Sequence, residues 1–118
     1  MKSQIIDGKV ISAQVRSEIS VDVSKLKNDH NIIPKLAVIL IGDDAASQVY
    51  VRNKQKSALS IGMHAEDYKF STSDTTESVI NLINDLNNDP YTNGILVQLP
   101  LPENFNKEKI IYSIDPLK

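Results

Sequence analysis

The stretch "PKLAVILIGDDAAS", Pro34 to Ser47, decides the fold. A proline opens it, an unbroken apolar run from Leu36 to Ile41 follows, and Gly42-Asp43-Asp44 ends the run. A strand that is apolar at every position, rather than at every second one, suits a sheet buried on both faces. The Gly-Asp-Asp that follows reads as a turn with a carboxylate placed to cap a helix. The predicted helix behind it ends near Ile61-Gly62, where glycine can close the last turn.

The rest of the chain repeats this alternation in both directions. Upstream, Gln4 to Ile6 is a short strand candidate, and Asp7 can cap a helix from about Lys9 to Asp29. Val10, Ala13, Val15, Ile19, Val23 and Leu26 give that helix a ragged apolar stripe. Downstream, Ala65 to Phe70 is a weaker strand, with Tyr68 and Phe70 as its core residues. In "SDTTESVINLINDLNND", Asp74 is followed three residues on by Glu77, a pattern like a capping box, and Val79, Ile80, Leu82, Ile83 and Leu86 form an apolar face. Gly94 to Val97 is the fourth strand, and a short helix over about Lys107 to Tyr112 precedes "SIDPLK". The expected fold is therefore α/β, three-layer, with a mainly parallel sheet of about four strands flanked by helices. In such sheets the ligand crevice lies beyond the carboxyl ends of the strands.

Composition sets the outer limits. The 118 residues are 41% hydrophobic and 24% charged, which fits one globular domain with its own core. The absence of cysteine removes thiolate nucleophiles, disulfides and cysteine-zinc sites. A net charge of -2 with dispersed lysines offers no field for a polyanion, so nucleic acid is not an expected partner. No apolar run is long enough to cross a membrane and the N-terminus lacks a signal-peptide core, so a cytoplasmic location is expected. His30 and His64 stand alone, without neighbours at ligand spacing, and no metal is expected. Asp43-Asp44 reads as cap and turn, and Ser47 has no histidine beside it to make it a nucleophile.

Two segments emerge at the strand exits. One is the helix after Gly42, where Tyr50 and Lys54 stand at i and i+4 and so share a face, leaning back toward the strand ends. The other is "GILVQLPLP", Gly94 to Pro102, a buried strand that ends on the amide of Gln98 and on two prolines that cannot donate to a ladder. An aromatic face, an amine one turn on and an amide from the next strand exit could hold a flat ring. By spacing alone, a Tyr/Lys pair is ordinarily just a solvated helix face.

The segments "PKLAVILIGDDAASQVYVRNKQKSALSIGM", with its Y-x-x-x-K, and "NGILVQLPLPEN" closely resemble the two signature segments of the bifunctional methylenetetrahydrofolate dehydrogenase/methenyltetrahydrofolate cyclohydrolase family. The opening "IDGK" and closing "IDPLK" also look like landmarks of that family. The resemblance implies that Tyr50 stacks on the aromatic portion of a folate, that Lys54 is the catalytic lysine and that Gln98 hydrogen-bonds it. It also implies pocket-wall positions at Val97, Leu99 and Pro100 and a site-lining position at Ser47. Val51, Arg52 and Asn53 fall within the substrate-contacting segment, with Arg52 and Asn53 expected to point off the Tyr50/Lys54 face.

Members of that family oxidise 5,10-methylenetetrahydrofolate with NADP and hydrolyse the methenyl product to 10-formyltetrahydrofolate. Residues 1–118 would be the folate-binding catalytic domain, ending before a D-V-D-G-like segment whose aspartate contacts the pterin and before a Rossmann-like NADP domain. With four scattered glycines and no G-x-G-x-x-G, no NADP binding is expected of this polypeptide. The resemblance implies a homodimeric parent. A folate-binding module without turnover and a non-catalytic interaction domain are the other readings.

The chemistry suits these residue types. Hydrolysis of a methenyl bridge needs water to attack an amidinium-like carbon and then needs protons moved between the new hydroxyl and ring nitrogens. A lysine at its reference pKa of about 10.4 is neutral in roughly one molecule in 2,500 at pH 7, so a lysine base needs its charged form destabilised. A neutral amide beside it serves this better than a carboxylate, whether its oxygen holds an ammonium or its NH2 holds a neutral amine.

Overall fold

A computed structural model describes residues 2–118. Three strands, β1 (Lys35–Ile41), β2 (His64–Phe70) and β3 (Gly94–Val97), form one parallel sheet in the order β2-β1-β3. Four helices alternate with them: α1 (Gly8–His30), α2 (Ala45–Ser60), α3 (Thr76–Asn88) and α4 (Lys107–Tyr112). The run that decided the fold lies at the centre of the sheet. Ala37, Val38 and Ile39 are fully buried, and Leu40 and Ile41 nearly so.

Pairing register sorts β1 by parity. Ala37, Ile39 and Ile41 face Val79, Ile83 and Leu86 of α3 and Ile110 of α4, with Phe105 closing the same cluster. Val38 and Leu40 face the other way onto Val51 of α2, flanked by Leu36 and Leu96. Ile39 pairs with Val97 on one side and Tyr68 on the other, so Val97, Tyr68 and Phe70 join the α3 side.

The sheet has three strands, not four. Gln4 to Ile6 forms no strand: Ile5 and Ile6 are 92% and 85% exposed, and the segment lies unpaired with the sheet, without the neighbour a strand needs. The outer edge of β3 instead receives the chain end, where the Ile95 N–H donates to the Lys118 carbonyl at 3.3 Å. The first helix forms as expected. Asp7 accepts from the Lys9 N–H at 3.0 Å, and Asn31 ends the helix in the left-handed region at φ 54°. Of its apolar stripe, only Val23 is buried. It packs beside Gly62, where a Cβ would come within 3.3 Å of the valine.

The start of α3 also differs in its residues. Thr75, not Asp74, is the N-cap, and Ser78 completes the reciprocal box. Asp74 accepts from the Ser71 N–H at 2.7 Å in the preceding turn, while Glu77 reaches Lys109 at 2.7 Å and ties α3 to α4.

Candidate functional site

The Asp44 carboxylate caps α2 by accepting from the Ser47 N–H at 2.8 Å. That donor above all holds the Asp44 carboxyl below the usual carboxylate range. The cap sets the pitch of the helix, and Val51, buried at 3% exposure, anchors it to the sheet. Tyr50 and Lys54 are thereby carried along the side of the strand exits. The ammonium of Lys54 lies 5.4 Å from the centre of the Tyr50 ring, within cation–π reach.

Gln98 arrives from the other segment. Its N–H donates to the Ile39 carbonyl at 2.9 Å, which makes it the first residue past the β3 ladder. Its Oε1 accepts from Lys54 Nζ at 2.9 Å, and its Nε2 donates to the Leu99 carbonyl at 3.1 Å. The second bond decides the orientation of the amide: with NH2 committed to a carbonyl, the oxygen faces the lysine. Of the two arrangements open from sequence, this is the oxygen-to-lysine one.

The turn and the proline segment meet directly. Gly42 sits at φ +86°, and a Cβ there would be 3.3 Å from Pro102 Cγ. The Leu99–Pro100 peptide is cis. Pro100, Pro102, Gly42, Asp44 and Thr72 line a recess of about 230 Å³ at the strand exits.

Tyr50 and Lys54 border a larger cavity of about 450 Å³, in the size range of small-molecule sites. Leu36, Leu96, Ala58 and Met63 give it an apolar floor, and Arg16 of α1 stands at its edge. Asn53 lines it too, contrary to the expectation that it points away. Several other expected site residues do not line this cavity. Val97 faces the α3 core, and its neighbour Leu96 takes the wall position, because alternate strand residues face opposite sides. Val51 is core. Arg52, as expected, lies off the Tyr50/Lys54 face and lines a crevice of about 150 Å³ with Asp67 and Lys69, where Asp67 Oδ1 is buried without a partner. Ser47 is 2% exposed, and Leu99 is 41% exposed beside Gln98.

Arg16, Leu36 and Leu96 were missed by the sequence reading. The strand periodicity already held the signal for Leu96, since Gln98 and Leu96 share parity. For Arg16 no local signal exists. Among the described residues, no cluster of three or more His, Cys, Asp or Glu could hold a metal ion, and no helix is long and apolar enough to cross a membrane.

A model of the tetrahydrofolate dehydrogenase/cyclohydrolase catalytic domain matches residues 6–118. The chain belongs to this family. The bifunctional protein FolD of Streptococcus agalactiae is 50% identical over 116 residues, which is 98% of this chain and 41% of that protein. Among solved structures, the bifunctional FolD methylenetetrahydrofolate dehydrogenase/cyclohydrolase of Campylobacter jejuni superposes with a TM-score of 0.94 at 40% identity, covering 98% of this chain and 40% of that one. The Trypanosoma brucei enzyme, complexed with NADP cofactor and inhibitor, superposes with a TM-score of 0.92 at 28% identity over 98% of this chain and 39% of that one. The chain thus spans about two fifths of the length of these members of the tetrahydrofolate dehydrogenase/cyclohydrolase family.

Proposed function

We propose that residues 1–118 are the folate-binding catalytic domain of an enzyme that oxidises 5,10-methylenetetrahydrofolate and hydrolyses 5,10-methenyltetrahydrofolate to 10-formyltetrahydrofolate. The observation that carries this reading is the Lys54 Nζ–Gln98 Oε1 contact of 2.9 Å beside the exposed Tyr50 ring. The ring offers a flat face to the aromatic part of a folate, and the apolar floor beneath it excludes water from one side.

In the hydrolysis, a neutral lysine takes a proton from water as the water oxygen bonds to the methenyl carbon. This gives a carbinolamine and an ammonium. The carbon–N5 bond then breaks as the hydroxyl becomes the formyl carbonyl, and the proton it loses passes to N5. Lys54 is the residue placed for the first transfer, and Gln98 holds it without a charge that would keep it cationic.

NADP is assigned to the longer parent protein. The residues of this chain do not fit it: the one glycine turn between a parallel strand and a helix carries Asp43 and Asp44, and Asp44 already fills the helix N-terminus. No hydride step is therefore derived from these residues. A homodimeric parent and a cytoplasmic location complete the proposal.

Cyclohydrolase turnover, followed by loss of methenyltetrahydrofolate absorbance, tests the reading in wild type and Lys54→Ala. The proposal expects the variant to lose the activity while keeping its folded spectrum. Turnover that survives the substitution would remove Lys54 as the base. If the wild-type chain shows no turnover, an NMR titration with 5-formyltetrahydrofolate decides between a silent folate-binding module and a chain with no folate site.

A further inference from the structure

Ser47 was expected to line the site, yet its side chain is 2% exposed, so a ligand atom has no route to its hydroxyl. Its contacts run in a line toward the reacting lysine. Its N–H is held by Asp44 at 2.8 Å, and its Oγ lies 3.5 Å from the Leu99 carbonyl. That carbonyl also accepts from Gln98 Nε2, and Gln98 Oε1 faces Lys54 Nζ. A carbonyl oxygen has two lone pairs, so both donors can be served at once.

A glutamine side-chain amide has a broad, two-fold terminal torsion, and the two orientations differ only in what they present. Rotated by half a turn, Gln98 would present NH2 to the lysine, setting donor against a protonated amine and the amide oxygen against the Leu99 carbonyl oxygen, acceptor against acceptor. The Leu99 carbonyl is therefore the element that selects the orientation. It belongs to a 41%-exposed residue in a segment outside the sheet ladder, so it needs an anchor of its own. The buried hydroxyl of Ser47, fixed on the capped first turn of α2, supplies that anchor.

We propose that Ser47 is a positioning residue that holds the Leu99 carbonyl, and through it keeps the Gln98 amide oxygen turned to Lys54. The role rests on the reading of Lys54 and Gln98 as the reaction centre, but it is testable without turnover.

The test is NMR of the ligand-free chain, with the Gln98 side-chain NH2 pair assigned by its disappearance in Gln98→Glu. In wild type the pair should be shifted and slowly exchanging, as a group held on a carbonyl is. In Ser47→Ala it should move toward free-amide shifts and exchange at least several-fold faster, while the methyl signals of Val51 and Ile39 stay in place. Ser47→Thr, which keeps the hydroxyl, should restore the wild-type pair. If Ser47→Ala does not fold, Ser47→Cys takes its place, with near-equal volume and only a weak donor. An unchanged Gln98 pair in a folded Ala or Cys variant overturns the proposal.

A second arm uses 5-formyltetrahydrofolate binding in a double-mutant cycle. If Ser47 acts through Gln98, adding Ser47→Ala to Gln98→Leu should cause no further loss of affinity; independent, multiplying losses would overturn the role. Absence of any binding by the wild-type chain would count against the folate reading alone, because the ligand-free spectra still decide the place of Ser47.

Discussion

Lys54 and Gln98 are 44 residues apart in sequence and 2.9 Å apart in the structure, joined through one amide oxygen. Each comes from a different element leaving the same end of the sheet. The amide is the neutral partner, and exchanging it for a charge is the sharpest probe of why it is there. In Gln98→Glu the lysine would gain an ion pair that favours its protonated form. Cyclohydrolase turnover should fall by about 10²-fold or more at neutral pH, in the range expected when a general base is disabled, with unchanged thermal melting. A variant as active as wild type would show that the neutrality of this partner is immaterial.

Tyr50 is 60% exposed and belongs to no core cluster, so its truncation should spare the fold. Removing a stacking aromatic is worth about 0.5–1.5 kcal/mol, or roughly 2- to 12-fold in affinity. Calorimetric titration of Tyr50→Ala with 5-formyltetrahydrofolate should show a loss of at least that size. Equal affinity would place the ligand elsewhere.

Gly42 couples the two segments of the site through its backbone. At φ +86°, with Pro102 3.3 Å from a would-be Cβ, Gly42→Ala should cost about 1–2 kcal/mol from the left-handed conformation alone. The NMR signals of Gln98 and Leu99 should shift with it, as Pro102 is pushed back. A urea midpoint equal to wild type would mean the turn relaxes into another conformation without penalty.

Ile39 and Ile83 face each other across the sheet and α3, and both are fully buried. Either one changed to Ala should lower unfolding free energy by about 2–5 kcal/mol, read from urea denaturation.

The acid limb of stability follows from two carboxylates. Asp44 is held below its ordinary range by the Ser47 N–H, and Asp89 by the Tyr91 N–H and then the Thr92 hydroxyl. Because the folded-state pKa is the lower one, each contributes stability above the unfolded value near 4, and that contribution is lost as pH falls through the folded value. Asp44→Asn keeps a capping acceptor but removes the titration. Its urea midpoint should therefore fall less steeply than wild type between about pH 5 and pH 2. Parallel curves would mean that Asp44 titrates alike in both states.

The sequence by itself determined the class of the fold, three of its strands and all four helices. The reasons are local: an unbroken apolar run reads as a doubly covered strand, and Asp7, Asp44 and Asn106 each cap a helix by contacts within three residues. Tyr50, Lys54 and Gln98 were singled out by the resemblance of their two segments to a family's signature segments, since spacing alone leaves a Tyr/Lys pair as an ordinary solvated helix face. Tertiary structure alone decided the rest. Gln4 to Ile6 has strand propensity but lies exposed and unpaired with the sheet, and pairing is a property of the neighbour. Leu96 takes the wall position expected of Val97, because parity against β1 chooses the face. Ser47 went from site wall to buried support, because burial depends on what the Pro100 segment lays over the first turn of α2. The orientation of the Gln98 amide was open in the sequence, and a single carbonyl one residue away closes it only once the chain has folded.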